Sequence, residues 1–137
     1  MKADTLKTKT LYSIKKGEAK ALLHPFNLPV IIEKIKQKQF PANGELNATI
    51  LLKSSDCQIA LIALQGGTKI KSFQSLGSIS FQIFEGKLNF HIKKESLMLD
   101  KDQILTLDEK IKYSYVTNEM TVFLLTIIHR TSNPLEN

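Results

Sequence analysis

The segment Gly66–Ile92, GGTKIKSFQSLGSISFQIFEGKLNFHI, restricts the possible fold more than any other part of the sequence. Apolar and polar residues alternate in two short runs, before and after Glu85-Gly86, with apolar members Ile79, Phe81, Ile83, Leu88, Phe90 and Ile92. Alternation of period two is typical of β-strands with one buried face. Because Gly86 tolerates the positive φ of a tight turn, we expect a β-hairpin whose six apolar side chains lie on one face.

The chain beyond residue 44 shows the same pattern of short strands separated by turn residues. Clusters of Gly, Asp, Asn and Ser recur at roughly even intervals, and the runs IALIAL and VFLLTII suit strands buried on both faces. Nine strands are expected, near Glu45–Lys53, Gln58–Leu64, Lys69–Phe73, Ile79–Phe84, Lys87–Lys93, Ser96–Leu99, Gln103–Leu107, Tyr113–Val116 and Thr121–His129. Because strands and helices do not alternate, the pattern predicts an antiparallel sandwich or barrel.

One amphipathic helix is predicted ahead of the strands, over about residues 28–38. Asn27 stands at its cap position and Pro29 fits its first turn. The apolar stripe, which must pack on another element, consists of Leu28, Ile31, Ile32 and Ile35. Residues 1–26 are predicted to form a basic N-terminal arm. Residues 27–137 are predicted to form a single domain with a barrel over about 44–129 and a short C-terminal tail.

The length, hydropathy and cysteine content exclude several classes of protein. A chain of 137 residues suffices for one domain with a real core. It contains no apolar run long enough to span a membrane and no apolar export signal at its start, so we expect a cytoplasmic protein without membrane contact. Cys57 is the only cysteine, which excludes an internal disulfide and a multi-cysteine metal site. We interpret Cys57 as a small buried hydrophobic residue.

The net charge of +6 lies entirely in the first part of the chain. Residues 1–40 carry nine lysines against three acidic residues, whereas residues 41–137 carry ten basic and ten acidic residues. A basic arm can bind polyanions. However, the arm contains no arginine and few aromatic residues, which argues against nucleic acid as a partner. We therefore interpret these lysines as a solvated tail and the wet face of the helix.

Residues 44–129 resemble the cupins, specifically the small single-domain cupins of the RmlC-like jelly-roll type. The resemblance rests on the glycine pair in Leu64–Ile70, the turn phrase Phe81–Gly86 and the strand pattern of Leu99–Leu125. It implies a mainly β protein, an antiparallel jelly-roll β-barrel with an N-terminal arm and one short helix. It also implies a homodimer, because cupins commonly work as dimers.

Most cupin enzymes hold a metal through three histidines and a carboxylate. By the resemblance, these positions fall on Phe73, Ser75, Ile79 and Tyr113, or on Ser80 in place of Ile79 if the loop is one residue longer. None carries the imidazole or carboxylate that divalent metals require. The resemblance therefore implies a chain without metal or cofactor.

The three histidines do not rebuild a metal site or a catalytic one. His91 is predicted to point outward, His24 precedes the helix, and His129 ends the last strand. No pair of them has the spacing of a metal motif. No motif supplies a histidine base to Ser75, so no catalytic residue is assigned.

Seven residues are predicted to line the mouth of the barrel: Phe73, Ser75, Ile79, Phe81, Ile83, Tyr113 and Tyr115. They are mainly apolar with a few hydroxyl groups, a composition that suits either a small apolar ligand or an interior filled by its own side chains.

Three functions follow, and the sequence favours the first. It is a metal-free binding or regulatory module that takes a small apolar ligand. The second is a metal-independent isomerase or epimerase, which would need Tyr113 or Tyr115 as its acid and a base facing the same cavity. The third is a nucleic-acid-associated protein that uses the basic arm.

Overall fold

The computed structural model describes residues 25–40, 46–71 and 77–129. Within these ranges one helix precedes nine strands: α1 (Leu28–Gln37), β1 (Asn47–Lys53), β2 (Cys57–Leu64), β3 (Lys69–Lys71), β4 (Gly77–Glu85), β5 (Leu88–Ile92), β6 (Glu95–Leu99), β7 (Ile104–Leu107), β8 (Tyr113–Val116) and β9 (Thr121–His129). All nine predicted strands are present, most of them within two residues of the expected ends. No helix in this part of the chain is long and apolar enough to cross a membrane.

The strands form two antiparallel sheets that enclose one core. The five-stranded sheet has the order β1-β2-β9-β4-β7, and the four-stranded sheet has the order β3-β8-β5-β6. Most consecutive strands lie in different sheets, so the chain passes repeatedly across the core. This is a mainly β jelly roll, which confirms the predicted fold class.

The predicted pairing of the two strands around Gly86 is wrong. β4 pairs with β7 and β9, while β5 pairs with β6 and β8. The two apolar sets therefore face each other from opposite sheets. Pairing with the nine-residue β9 gives β4 eight partner positions, more than the five-residue β5 could offer.

Gly86 turns the chain from one sheet to the other. Its φ of 80° confirms the expected positive value. A Cβ atom at this position would lie 2.5 Å from the backbone oxygen of Met120 and 2.5 Å from Oγ1 of Thr121. The crossover and the β8–β9 connection thus pass each other too closely for any residue but glycine.

The helix covers part of the outer face of the five-stranded sheet. Ile32 and Ile35 are buried against outward side chains of β2 and β9, namely Leu61, Ala63 and Val122. This contact buries both faces of β2 and β9, as their continuous apolar runs predict. Asn27 occupies the N-cap position, but its side chain makes no capping hydrogen bond.

An ion pair also joins the helix to the sheet. Nζ of Lys36 lies 2.8 Å from Oε1 of Glu85, at the end of β4. Both side chains are partly exposed, so we expect the pair to orient α1 rather than to add much stability.

Apart from Glu85, whose carboxylate pairs with Lys36, that outer face carries no charged side chain on β2, β4, β7 or β9. Register and alternation set these outward residues in three rows, and we call them the uncharged face: Cys57, Ile59, Ser78, Ser80, Gln82, Ile104, Thr106, Thr126 and Ile128. Cys57 is half-buried here, less than the sequence interpretation expected.

Candidate functional site

Five of the seven predicted pocket residues lie together between the sheets. β4 contributes Ile79, Phe81 and Ile83, and β8 contributes Tyr113 and Tyr115 from the opposite sheet. All five side chains are buried. Their role as pocket residues stays a prediction. The other two, Phe73 and Ser75, lie outside the described residues.

Phe81 is the centre of an aromatic cluster. Its ring centroid lies 4.9 Å from that of Phe90, 5.4 Å from Tyr115, 5.6 Å from Tyr113 and 5.8 Å from Phe123. The first three contacts are edge-to-face, a favoured arrangement of aromatic quadrupoles worth about 0.5–1.5 kcal/mol per pair beyond area burial.

Sequence reasoning left two members of this cluster out of the predicted pocket. Phe90 was expected in the core, and Phe123 stands in the run VFLLTII. Both are fully buried. The alternation of β5 and β9 carries the signal that could have found them, because it puts both rings on the inner face.

The tyrosines bring hydroxyl groups into this apolar interior. Tyr113 is 8% exposed and Tyr115 is 6% exposed, and among the described residues no buried side-chain nitrogen or oxygen lacks a hydrogen-bond partner. Burial raises the pKa of Tyr113 to about 12. Burial, and to a smaller extent the charge of Tyr113, raises the pKa of Tyr115 above its usual value. Both phenols therefore stay neutral at pH 7, where each can donate or accept a hydrogen bond.

The cupin resemblance assigns metal ligands to certain positions of this chain. The described residues at those positions do not fit a divalent metal. Ile79 offers no donor atom, and the raised pKa of Tyr113 opposes the phenolate that a metal would require. Ser80 faces outward on the uncharged face. In the described part of the chain, no three His, Cys, Asp or Glu side chains are grouped closely enough to hold an ion.

The described histidines lie away from the tyrosines. His91 is exposed on the outer side of the four-stranded sheet, as predicted, with Nδ1 3.1 Å from Oγ of Ser96. His129 ends β9, also as predicted, and its backbone N–H donates to Asp56 O at 2.8 Å. His24 lies outside the described ranges.

Two buried threonines, which sequence reasoning missed, form hydrogen bonds with the strand connections at the end of the barrel away from the tyrosines. The Thr117 hydroxyl donates to the carbonyl of Gln65 and accepts from the N–H of Thr68 at 3.1 Å. Oγ1 of Thr121 accepts from the N–H of Lys87 at 3.3 Å and lies 3.1 Å from the Lys87 carbonyl. Tyr113 begins β8, whereas Thr117 follows the end of that strand, so the tyrosine end lies away from these connections.

No protein-family model matches the chain, and no curated protein matches it significantly.

Comparison with solved structures gives many matches. A cupin superfamily protein from Desulfitobacterium hafniense is 14% identical with a TM-score of 0.64, covering 79% of this chain and 93% of that one. The cupin domain of Cnp3 from Schizosaccharomyces pombe is 17% identical with a TM-score of 0.61, covering 82% and 77%. The Cupin_2 domain of an XRE family transcriptional regulator from Enterobacter cloacae is 17% identical with a TM-score of 0.57, covering 64% and 98%. At these identities the likeness concerns the fold, and the fold of this chain is the cupin jelly roll.

Proposed function

We propose that this chain is a metal-free, cupin-fold binding or regulatory module that takes a small, mainly apolar ligand between its sheets. The observation that carries the proposal is the pair of buried tyrosines at one end of an otherwise apolar aromatic cluster. Such a lining suits an aromatic or aliphatic ligand with a single polar group. The similarity to a domain of a transcriptional regulator supports the regulatory part of the proposal.

A metal-dependent reaction is less well supported by the donor chemistry. Ile79 and a neutral Tyr113 replace the imidazole and carboxylate ligands that such a reaction would use. An isomerase would need a base beside the tyrosines, but His91 lies on the outer side of the four-stranded sheet and bonds Ser96 instead.

The first experiment measures metal content. Elemental mass spectrometry is applied to the untagged protein before and after incubation with iron(II), manganese, nickel and zinc. We expect no metal to be retained near one equivalent per chain. Stoichiometric retention would overturn the metal-free proposal and restore oxygenase or isomerase chemistry.

The second experiment tests the proposed binding site with two aromatic probes of similar shape, toluene and benzyl alcohol. Binding is followed by amide chemical shifts in ¹H–¹⁵N NMR spectra. We expect benzyl alcohol to bind more tightly, since its hydroxyl can pair with Tyr113. Tyr113→Phe should remove that preference, whereas Ser96→Ala, on the outer side, should preserve it. If neither probe shifts resonances of the inner strands, the proposed site is wrong.

A further inference from the structure

Four lysines lie around Tyr113 at the end of the four-stranded sheet. Lys112 directly precedes Tyr113, and Lys93 directly follows the residue that pairs with Tyr113. Lys71 is paired with the residue after Tyr113, and Lys94 completes the turn between β5 and β6. All four are exposed. Since neighbouring strands lie about 4.8 Å apart, these positions form one group at the rim of the barrel, which we call the lysine cluster.

Most of the negative charge at this end adjoins the other sheet. Over residues 46–71 and 77–129, the acidic residues at the tyrosine end are Asp56, Glu95, Asp108 and Glu109. Three of them adjoin β2 or β7 of the five-stranded sheet, whereas Glu95 begins the edge strand β6. Within the described ranges, no ion pair joins a lysine of the cluster to a carboxylate. The cluster therefore gives the four-stranded side of the rim an excess of positive charge.

The opposite end of the barrel has the reverse balance of charge. The described strand ends and connections beside Thr117 and Thr121 carry Lys69, Lys87 and Lys101 against Glu85, Asp100, Asp102 and Glu119. At the tyrosine end, Lys53 and Lys110 add to the cluster, so lysines outnumber carboxylates there. The summed field of the barrel thus favours an anion at the tyrosine end.

The turn between β5 and β6 holds a lysine in a backbone conformation that suits other residues better. The φ of Lys93 is 57°, in the left-handed region that glycine and asparagine adopt most readily. Lysine gives this turn no conformational advantage, but it places a charge at the tip of the hairpin. Residues held in such conformations are concentrated at ligand sites. At this position the contribution of charge can therefore be separated from that of the fold.

A carboxylate ligand could use both parts of this end of the molecule. Its apolar part would pack against the aromatic cluster around Phe81, and its carboxylate would accept hydrogen bonds from the Tyr113 hydroxyl and from a lysine. Because its pKa is raised, Tyr113 stays protonated at pH 7 and can donate to an anion. Hydrogen bonds with an ionised partner are roughly twice as strong as those between neutral groups.

We propose that the ligand is an aromatic or aliphatic carboxylate, with its apolar part between the sheets and its carboxylate at the lysine cluster. This inference rests on the proposed ligand site and adds the charge of the ligand's polar group. A neutral alcohol of the same shape is then the weaker ligand.

The first test compares benzoate with benzyl alcohol at pH 7 and low salt, using amide chemical shifts in ¹H–¹⁵N NMR spectra of the full chain. We expect benzoate to bind about tenfold more tightly, and this advantage to shrink in about 0.5 M sodium chloride, because salt screens exposed charges. If benzyl alcohol shifts the inner strands and benzoate binds no more tightly, the inference is wrong and the proposed site stands. If neither probe shifts the inner strands, both are wrong. Benzoate shifts confined to the lysine cluster would also contradict the inference.

The second test uses the two non-glycine residues with a left-handed backbone in the described ranges, one at each end of the barrel. These are Lys93, with a φ of 57°, and Asp102, with a φ of 68°. Lys93→Gly should leave thermal stability close to that of the wild type, because relief of strain offsets the greater freedom of glycine in the unfolded chain. It should nevertheless reduce the advantage of benzoate severalfold, as should Lys112→Gln.

The matched control is Asp102→Gly, which makes the same backbone change at the opposite end. Its N–H keeps the bond to the carbonyl of Ile83, so the turn is retained. We expect this variant to bind benzoate no more weakly than the wild type does. An advantage of benzoate that survives in both lysine variants, or that falls equally in Asp102→Gly, would overturn the role of the lysine cluster.

Discussion

A single buried hydroxyl, that of Thr117, connects two parts of the chain that are about fifty residues apart. Thr117 is 1% exposed, and its side chain bonds the backbone of Gln65 and Thr68. Two further backbone hydrogen bonds, from Gly67 N–H to Thr117 O and from Thr117 N–H to Thr68 O, complete the junction. The hydroxyl thus satisfies backbone groups at a turn that no strand pairing reaches.

We expect Thr117→Val to lower the free energy of unfolding by about 1 kcal/mol, because it removes the partner of the half-buried Thr68 N–H, while the Gln65 carbonyl keeps the bond that the Thr68 hydroxyl donates. Thr117→Ser keeps the hydroxyl and serves as the matched control, with a smaller loss. Urea denaturation followed by circular dichroism measures both. A valine variant as stable as the wild type would show that water replaces the hydroxyl.

The buried tyrosines predict a loss of stability at high pH. Since burial raises the pKa of Tyr113 from 10.0 to about 12, the folded protein holds this proton more tightly than the unfolded chain does. The contribution of the neutral Tyr113 phenol to the free energy of unfolding is complete below pH 10. It is lost as the pH rises through 12. Urea denaturation between these values should show a steeper decline for the wild type than for Tyr113→Phe. Lysine titration is common to both proteins, so equal slopes would contradict the burial of this hydroxyl.

At the scale of elements, the strands could be predicted because their signals are local. Alternation and turn residues define a strand within a few positions, and they also assign each side chain to a face. Alternation placed Phe81 on the inner face, whereas Tyr113 was placed in the barrel mouth by the cupin resemblance, and both side chains are buried. The pairing of β4 could not be found this way, because its partner β9 begins some forty residues later and turn chemistry at Gly86 serves a hairpin and a crossover equally well.

For the candidate site too, local features could be predicted from the sequence and tertiary ones could not. Which residues face inward follows from alternation. How closely the rings of Phe81 and Phe90 approach depends on the separation of the two sheets, a tertiary distance that no local pattern encodes. The bonds of Thr117 depend likewise on two turns meeting in space.

The crossover between the sheets can be tested with two glycines of similar backbone geometry. Gly86 has a φ of 80° and Gly67 a φ of 85°. A Cβ at Gly67 would meet no atom within 4 Å, whereas one at Gly86 would lie 2.5 Å from Met120 O. Gly67→Ala should therefore cost about 1–2 kcal/mol from the left-handed backbone alone.

Gly86→Ala should cost clearly more, because the steric overlap adds to the same backbone term. Thermal unfolding of the two variants in parallel separates these contributions. Equal midpoints would mean that the connection at Met120 yields readily to a methyl group.

At the scale of the whole molecule, we expect the backbone amides in the middle of the five-stranded sheet to be the best protected from hydrogen exchange. β9 lies between β2 and β4 and is covered by the core on one face and in part by α1 on the other. The four-stranded sheet ends at β3 and β6, and most of β6 is exposed. Edge strands with few buried contacts open locally at low cost, whereas central strands exchange only when the whole fold opens.

Hydrogen exchange of the full chain, followed by NMR, should therefore show its slowest amides in β9 and β2. Amides of β6 that bond to β5 should exchange at least about a hundredfold faster, because opening an edge strand with few buried contacts needs no disruption of the core. If β6 is as well protected as β9, the two sheets open as one unit, and the proposed ligand site between them can be reached only by global unfolding. Faster exchange at β6 would instead show that the edge of the four-stranded sheet opens locally, on the side from which the proposed ligand would enter.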